Sequence, residues 1–268
     1  MLMAMIVLFL AILGGAGWFA WTNMQQGDSS PLQTVADVPA SAGTTGTVAG
    51  VSPASNDSRE GFLASFDTGA CTYVTRVSWG PNTGTIEGYS IAGNDFAGLA
   101  VAYEAAFGAR PSVLSRQVTP AQCAVLDFMR ELQSWGRNGI DQSLSADEIS
   151  SGDTITADLR VPRDQAVWTI LIDHRGRVAN LTNRLAQPVG NTRSLGFGLM
   201  LQGSQPQPHL VLSVESDTPL VQTVLAAGLN DSAVLLPRIL REIAQRDRAA
   251  SASLSYMLLV PKANAADL

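Results

Sequence analysis

Residues 119–128, TPAQCAVLDF, form a helix start that carries one of the chain's two cysteines. Thr119 is a favourable N-cap, Pro120 suits the first helical turn, and Gln122 follows the cap as in a capping box. Cys123 then falls in the first turn of the predicted helix. Cys123 could be a reactive thiol, a metal ligand, a core residue or a disulfide partner, and its role indicates the cellular compartment.

The segment before this helix predicts a small ββαβα unit within residues 59–135. Residues 71–91 contain two alternating, β-branched stretches separated by PNTG, which is typical of a β-hairpin. A helix should follow, capped by Asn94 or Asp95 and ended by Gly108. A third strand, PSVLSRQV, then leads into the helix that begins after Thr119.

The segment after this helix predicts a second domain, so the fold class is α+β. Residues 136–149 are interpreted as a linker, and residues 150–262 as an antiparallel β-sandwich with one added helix. Pro237 marks either the first turn of that helix or a kink inside it. The predicted strands are DTITADLRV, AVWTILIDHRGRVANLT with a turn at DHRG, SLGFGLML, HLVLSVES and SLSYMLLV.

The N-terminal segment predicts a membrane anchor. The first 21 residues carry no charged side chain and would span about 31 Å as a helix, with Trp18 and Trp21 near the end of the run. A cleaved signal peptide is the competing interpretation, but it lacks a basic start and a clear cleavage site. We therefore expect an anchor over 1–22, oriented N-in, a flexible linker over 23–58 and a polar tail over 263–268.

Composition and motifs argue against several classes of function. The net charge is −6, and the 17 basic residues are scattered, so nucleic-acid binding is not expected. His174 and His209 lie at a turn and at a strand start without ligand-type neighbours, so both should be solvated. No catalytic, cofactor-binding or metal-binding residue is predicted.

Four carboxylates lie near the junction of the two predicted domains. They could cap a turn or bind Ca²⁺ weakly, but the D-x-D-x-D-G pattern is absent, which favours simple solvation. These residues are Asp147, Glu148, Asp153 and Asp164.

The two cysteines are expected to form a disulfide. Cys71 begins the first predicted strand and Cys123 begins the last helix of the same unit, so both lie at element ends that should pack together. Closing a loop of about 53 residues would stabilise the fold by roughly 4 kcal/mol. Such a bond persists in an oxidising compartment, which agrees with the predicted anchor.

Two stretches resemble known bacterial proteins. The segment GDTITADLRVPRDQAVWTILIDHRGRVANLTN resembles the start of a bacterial envelope β-sandwich module of unknown function, with a G-D strand and a D-x-x-G-x-v-x-x-L hairpin. The corresponding positions are Gly152, Asp153, Asp173, Gly176, Val178 and Leu181. GACTYVTRVSWGPNTGTIEGYSI and RQVTPAQCAVLDF are similar to the region after the transmembrane helix in alphaproteobacterial membrane-anchored serine/threonine kinases. The kinase signatures V-A-I-K, H-R-D and D-F-G do not occur, so the resemblance implies the extracytoplasmic part alone.

These observations predict a non-catalytic, single-pass inner-membrane protein with most of its chain in the periplasm. It would act as a sensor or a protein-interaction and assembly module, with a protein partner in the membrane or envelope. One alternative is the regulatory extracytoplasmic part of a membrane serine/threonine kinase system. The other is a periplasmic carboxylate-based hydrolase, which a deep pocket holding several carboxylates would favour.

Overall fold

The computed structural model describes residues 58–66, 69–93, 96–136, 140–225, 231–246 and 249–262. All of them belong to one compact unit, Gly50–Leu268. The predicted anchor, the linker up to residue 57, the caps Asn94 and Asp95, and the tail 263–268 lie outside the described residues. Across the described ranges, no helix has the length and apolar character needed to cross a membrane.

The first part of the described chain has the predicted ββαβα order, preceded by one more helix. Its elements are α1 (Arg59–Ser65), β1 (Thr72–Arg76), β2 (Ile86–Ser90), α2 (Ala97–Phe107), β3 (Val113–Gln117) and α3 (Cys123–Ser134). Strands β1 and β2 pair antiparallel, whereas β2 and β3 pair parallel. Helix α2 makes the crossover that a parallel pair requires.

Two helix boundaries follow the local sequence signals. Helix α2 ends at Gly108, which has a φ of +70° and donates its N–H to the carbonyl oxygen of Glu104, as predicted. Before α3, the side-chain oxygen of Gln122 accepts the N–H of Thr119 at 3.0 Å, which is one arm of the predicted capping box. The Thr119 hydroxyl donates to the carbonyl oxygen of His174 at 2.7 Å and so ties this helix start to a distant turn.

The second part of the described chain contributes two sheets that face each other. One has three strands in the order β4 (Asp141–Leu144), β6 (Thr154–Arg160) and β9 (Thr192–Gly198). The other has five strands in the order β5 (Glu148–Ser150), β11 (Ala250–Val260), β10 (Gln207–Ser216), β7 (Ala166–Ile172) and β8 (Val178–Asn180). Only β5 and β11 pair parallel among these neighbours. The apolar layer between the sheets includes Ile155, Phe197, Val211 and Met257.

Helices cover the other face of the five-stranded sheet. Helices α4 (Val221–Leu225) and α5 (Ser232–Gln245) follow β10. Leu126 of α3 and Leu236 of α5 are fully buried, in the same core cluster as Leu212 of β10. The core therefore crosses the predicted boundary between 59–135 and 150–262, because α3 packs on a sheet built from the later part of the chain. The described chain is a strand-rich fold of mixed α and β structure.

One sequence prediction needs correction here. The segment 136–149, predicted as a linker, contains β4 and the start of β5. These strands have four and three residues, which is too short for the alternating pattern that signals a strand. Of the two positions predicted for Pro237, the structure has the one inside the helix, since α5 begins at Ser232 with Asp231 as its N-cap.

Gly176, in the DHRG turn, lies close to the start of α3, and a substitution can test this close contact. Its φ is +76°, and an added Cβ would lie 2.5 Å from the carbonyl oxygen of Ala121, just before α3. We expect Gly176→Ala to lower the free energy of unfolding by about 2–3 kcal/mol, measured by urea denaturation. Gly190→Ala is the matched control, since Gly190 has a φ of +63° and nothing within 4 Å of an added Cβ. The control should cost about 1 kcal/mol, and equal losses for both variants would contradict the close contact.

Candidate functional site

A cleft of about 500 Å³ lies between the β1–β2 hairpin, helix α3 and strands β4 and β11. This volume is within the range of small-molecule and cofactor pockets. Its walls combine aromatic rings with hydroxyl, amide and carboxylate groups. Residues that line it include Tyr73, Trp79, Asn82, Glu87, Gln133, Asp141, Gln142, Asp147, Ser253 and Tyr256.

Arg116 organises the charged groups at this cleft. Its guanidinium group contacts Glu87 Oε1 at 2.7 Å and Asp147 Oδ2 at 2.6 Å through the same nitrogen, Nη2. A second nitrogen, Nε, donates to Glu87 Oε1 at 3.1 Å. The Tyr89 hydroxyl donates to the other Glu87 oxygen at 2.7 Å. Glu87 is only 6% exposed, so these bonds compensate a carboxylate that has lost its water.

Burial keeps the phenols around this network protonated. Burial raises the pKa of Tyr73 to about 12. A hydrogen bond with Thr75 opposes this rise, and the charge of Glu87 adds a smaller increase. The pKa of Tyr89 is raised by burial and by the Glu87 charge. Burial also raises the pKa of Tyr256, against a lowering influence from nearby Arg116. At neutral pH these side chains are hydrogen-bond donors with apolar rings.

The hairpin that forms the roof of the cleft is tied to the sheet below it. The Ser78 hydroxyl donates to Asp141 Oδ1, and the Asn82 amide donates to Asp147 Oδ2 at 3.1 Å. Next to these contacts, the Arg160 guanidinium lies over the Trp79 ring at 4.5 Å from its centroid. The cleft is therefore held in shape by several contacts between distant segments, which favours a preformed binding site.

Gln142 is a buried polar residue of the cleft with an unused acceptor. It is 7% exposed, and its Nε2 donates to the carbonyl oxygen of Val211 and to Ser255 Oγ, each at 2.9 Å. Its Oε1 accepts no hydrogen bond from the described part of the chain. This oxygen is itself buried, and an unpaired buried acceptor is costly.

Only one of the four carboxylates predicted near the junction reaches this site. Asp147 was expected to be solvated, but it binds Arg116 and Asn82. The others are elsewhere: Glu148 is exposed on β5, Asp153 pairs with Lys262 at 3.4 Å, and Asp164 is exposed in a turn. Glu87 and Arg116 were not predicted. All five residues of β2 are buried, so no alternation distinguishes Glu87 from its neighbours.

The histidine prediction is wrong for His209. This residue is 5% exposed. Its ring centroid lies 6.3 Å from the ring centroid of His174. The strand start is buried because β10 is a central strand, paired with β11 on one side and β7 on the other. The described residues contain no group of three side chains suited to hold a metal ion.

The buried His209 predicts a loss of stability in mild acid. Burial lowers its pKa from 6.5, opposed by a bond to the Gln207 carbonyl and by Asp173, and reinforced by His174. The unfolded chain takes up a proton near pH 6.5 more readily than the folded chain. The free energy of unfolding should therefore fall as the pH drops below 6.5, by at most about 1.4 kcal/mol per pH unit from this group.

Urea titrations between pH 7.5 and 5.5 measure this effect. His209→Gln should remove the fall, whereas His174→Gln, a substitution of the neighbouring histidine, should retain it. A profile that is unchanged in His209→Gln would show that other groups cause the acid sensitivity. Glu215, whose pKa is raised by burial and by Asp217 and Asp164, contributes with the opposite sign and is present in all the variants.

The cysteines form the predicted disulfide and lie apart from the residues that line the cleft. Cys71 and Cys123 are bonded, with their Cα atoms 4.9 Å apart, at the starts of β1 and α3. Since both cysteines are paired, the chain has no thiol for nucleophilic chemistry. The cleft is therefore the strongest candidate site in the described chain. Neither a protein-family model nor a curated protein matches this sequence.

Proposed function

We propose that this chain is a non-catalytic, membrane-anchored periplasmic module that binds a ligand or protein partner in the cleft, as a sensor or interaction domain. The observation that carries the proposal is the cleft of about 500 Å³, whose aromatic and polar walls are held in place by contacts between distant segments. The apolar segment 1–22 supports the anchor in the inner membrane, and the Cys71–Cys123 disulfide supports an oxidising compartment. In a narrower form, the module is the regulatory part of a membrane serine/threonine kinase system, as the resemblance implies.

The arrangement of the carboxylates favours binding over hydrolysis. A carboxylate-based hydrolase needs two carboxyl groups that both reach the scissile bond, as in glycoside hydrolases. In this cleft, Glu87 and Asp147 approach each other only through Arg116, whose Nη2 contacts both. The guanidinium group thus occupies the space between these two carboxylates. The other two carboxylates that line the cleft also have arginine partners, Glu60 with Arg76 at 3.4 Å and Asp141 with Arg160 at 3.8 Å. The charged network is better suited to shaping the cleft than to proton transfer.

A fragment-binding experiment on the full chain in nanodiscs tests the binding function. A library of small polar and aromatic fragments is screened by ligand-observed NMR against the wild type. Ser253→Phe places a large ring in the cleft wall, and Ser251→Phe makes the same change two residues earlier on β11, at a residue that does not line the cleft. We expect fragments that bind the wild type and Ser251→Phe but not Ser253→Phe. Fragments that bind all three alike, or none that bind, would contradict the proposal.

A further inference from the structure

Every charged side chain that lines the cleft has a partner of opposite charge. Glu60 pairs with Arg76 at 3.4 Å, and Asp141 pairs with Arg160 at 3.8 Å. The other two lining carboxylates share one arginine, Arg116. A charged ligand would lose water of hydration on entering this cleft and would find no unpaired counter-charge there. The cleft therefore favours a ligand without a net charge.

Three hydroxyl groups of β11 can still bond with such a ligand. Ser253 and Tyr256 line the cleft and are half-buried, and neither hydroxyl forms a hydrogen bond with another described residue. The Ser255 hydroxyl accepts from Gln142 Nε2 at 2.9 Å, so its own proton is left to donate. Because a hydroxyl group both donates and accepts, this wall suits a ligand whose polar groups do the same.

Most of the apolar side chains that line the cleft belong to the core beneath it. Six of them are at most 6% exposed, namely Leu63, Met129, Leu132, Ile140, Leu144 and Leu254. The largest apolar side chain among the half-buried lining residues is Trp79. The Arg160 guanidinium covers one face of its ring, but Arg160 does not line the cleft. The ring therefore meets the cleft with another surface, on which apolar C–H groups can pack.

We propose that the cleft binds an uncharged sugar, whose hydroxyl groups bond with Ser253, Ser255 and Tyr256 while one face of its ring packs on Trp79. A sugar ring carries hydroxyl groups around its rim and C–H groups on its faces, so it matches both kinds of wall. The volume of about 500 Å³ suits a small saccharide. The inference rests on the proposed binding function and names its ligand class.

Saturation-transfer NMR on the full chain in nanodiscs tests this ligand class. The uncharged probes are cellobiose, maltose, galactobiose and N,N′-diacetylchitobiose. The charged probes are digalacturonic acid, which matches galactobiose, and the glucosamine dimer, which is diacetylchitobiose without its acetyl groups. We expect at least one uncharged probe to bind with a Kd of about 1 mM or tighter, and its charged counterpart to bind about tenfold more weakly. Preference for a charged probe, or no uncharged probe that binds, would overturn the proposal.

A longer chain of the bound sugar identifies the source of the ligand. The tetrasaccharide should bind as well as the disaccharide if the cleft takes the end of a glycan chain. It should bind more weakly if the cleft takes a free small sugar. Both results support an uncharged sugar as the ligand.

Variants of the cleft test where the sugar binds. Trp79→Ala should weaken the bound disaccharide about tenfold, and Ser253→Ala about threefold to tenfold. Trp135→Ala is the matched control and should bind like the wild type, since Trp135 is also half-buried but does not line the cleft. Unchanged affinity in both cleft variants would overturn the proposal. If Trp79→Ala fails to fold, as judged by circular dichroism, Ser253→Ala decides by itself.

The fragment screen separates failure of this inference from failure of the binding function. Fragments that bind the wild type but not Ser253→Phe, together with no sugar that binds, would refute the sugar and leave the binding function standing. If neither fragments nor sugars bind, both proposals are refuted.

Discussion

Replacing both Cys71 and Cys123 by alanine is expected to lower the free energy of unfolding by about 4 kcal/mol. The disulfide joins residues that are 52 positions apart, so its loss restores a large amount of conformational freedom to the unfolded chain. The bond also ties the start of β1 to the start of α3, which packs on the five-stranded sheet. Urea denaturation of the full chain, followed by circular dichroism, measures the loss.

A reductant supplies the matched control for the disulfide. Wild-type protein treated with dithiothreitol should fall to the stability of the double alanine variant, which itself should not respond to the reductant. Mass spectrometry of non-reduced protein isolated from cells should yield the linked Cys71–Cys123 peptide. Free thiols in that protein would contradict the periplasmic placement, since the bond persists only in an oxidising compartment.

Replacing Arg116 by methionine should lower the free energy of unfolding by about 3–5 kcal/mol. Methionine fills part of the same volume but leaves the carboxylate of Glu87, which is only 6% exposed, without its cation. Removing one partner of a buried ion pair costs more than the pair itself contributes, because the remaining charge stays buried. The same urea titration measures this loss. Asp147 contributes less to it, since its side chain is 44% exposed and can regain water.

Two further variants separate the buried charge from a general effect of losing an arginine. Arg110→Met removes an exposed partner of Glu104, at 3.8 Å and with side chains 63% and 48% exposed, and should cost at most about 1 kcal/mol. Adding Glu87→Gln to Arg116→Met removes the unpaired charge and should restore part of the stability. Equal losses in Arg116→Met and Arg110→Met would show that the buried pair is not the cause.

Local signals predicted the elements that are fixed by residues close together in the chain. Gly108 ends α2 because a glycine readily adopts the left-handed conformation. Gly176, with a φ of +76°, adopts the same conformation in the DHRG turn that joins β7 to β8. The cysteine pair was predicted because both residues lie at element ends of one local unit. Strands β4 and β5 were missed because three or four residues are too few to show a period.

The pairing between strands, in contrast, cannot be predicted from any local sequence pattern. His209 was expected to be solvated as the start of a strand, yet it is buried because β10 lies between β11 and β7. Which strand is central depends on contacts across the whole chain. The same is true of the cleft, where Gln142 belongs to a strand within the predicted linker.

The sequence by itself determined the ββαβα order of the first elements, the start of α3, the end of α2 and the cysteine pair. Only the tertiary structure joined the two predicted domains through one core and brought Glu87, Arg116 and Asp147 together. The bond from Tyr89 to Leu254 spans 165 positions, and β5 pairs with β11 only at Leu258–Val260. Such contacts arise from burial and hydrogen-bond satisfaction across the folded chain, which short-range periodicity does not encode.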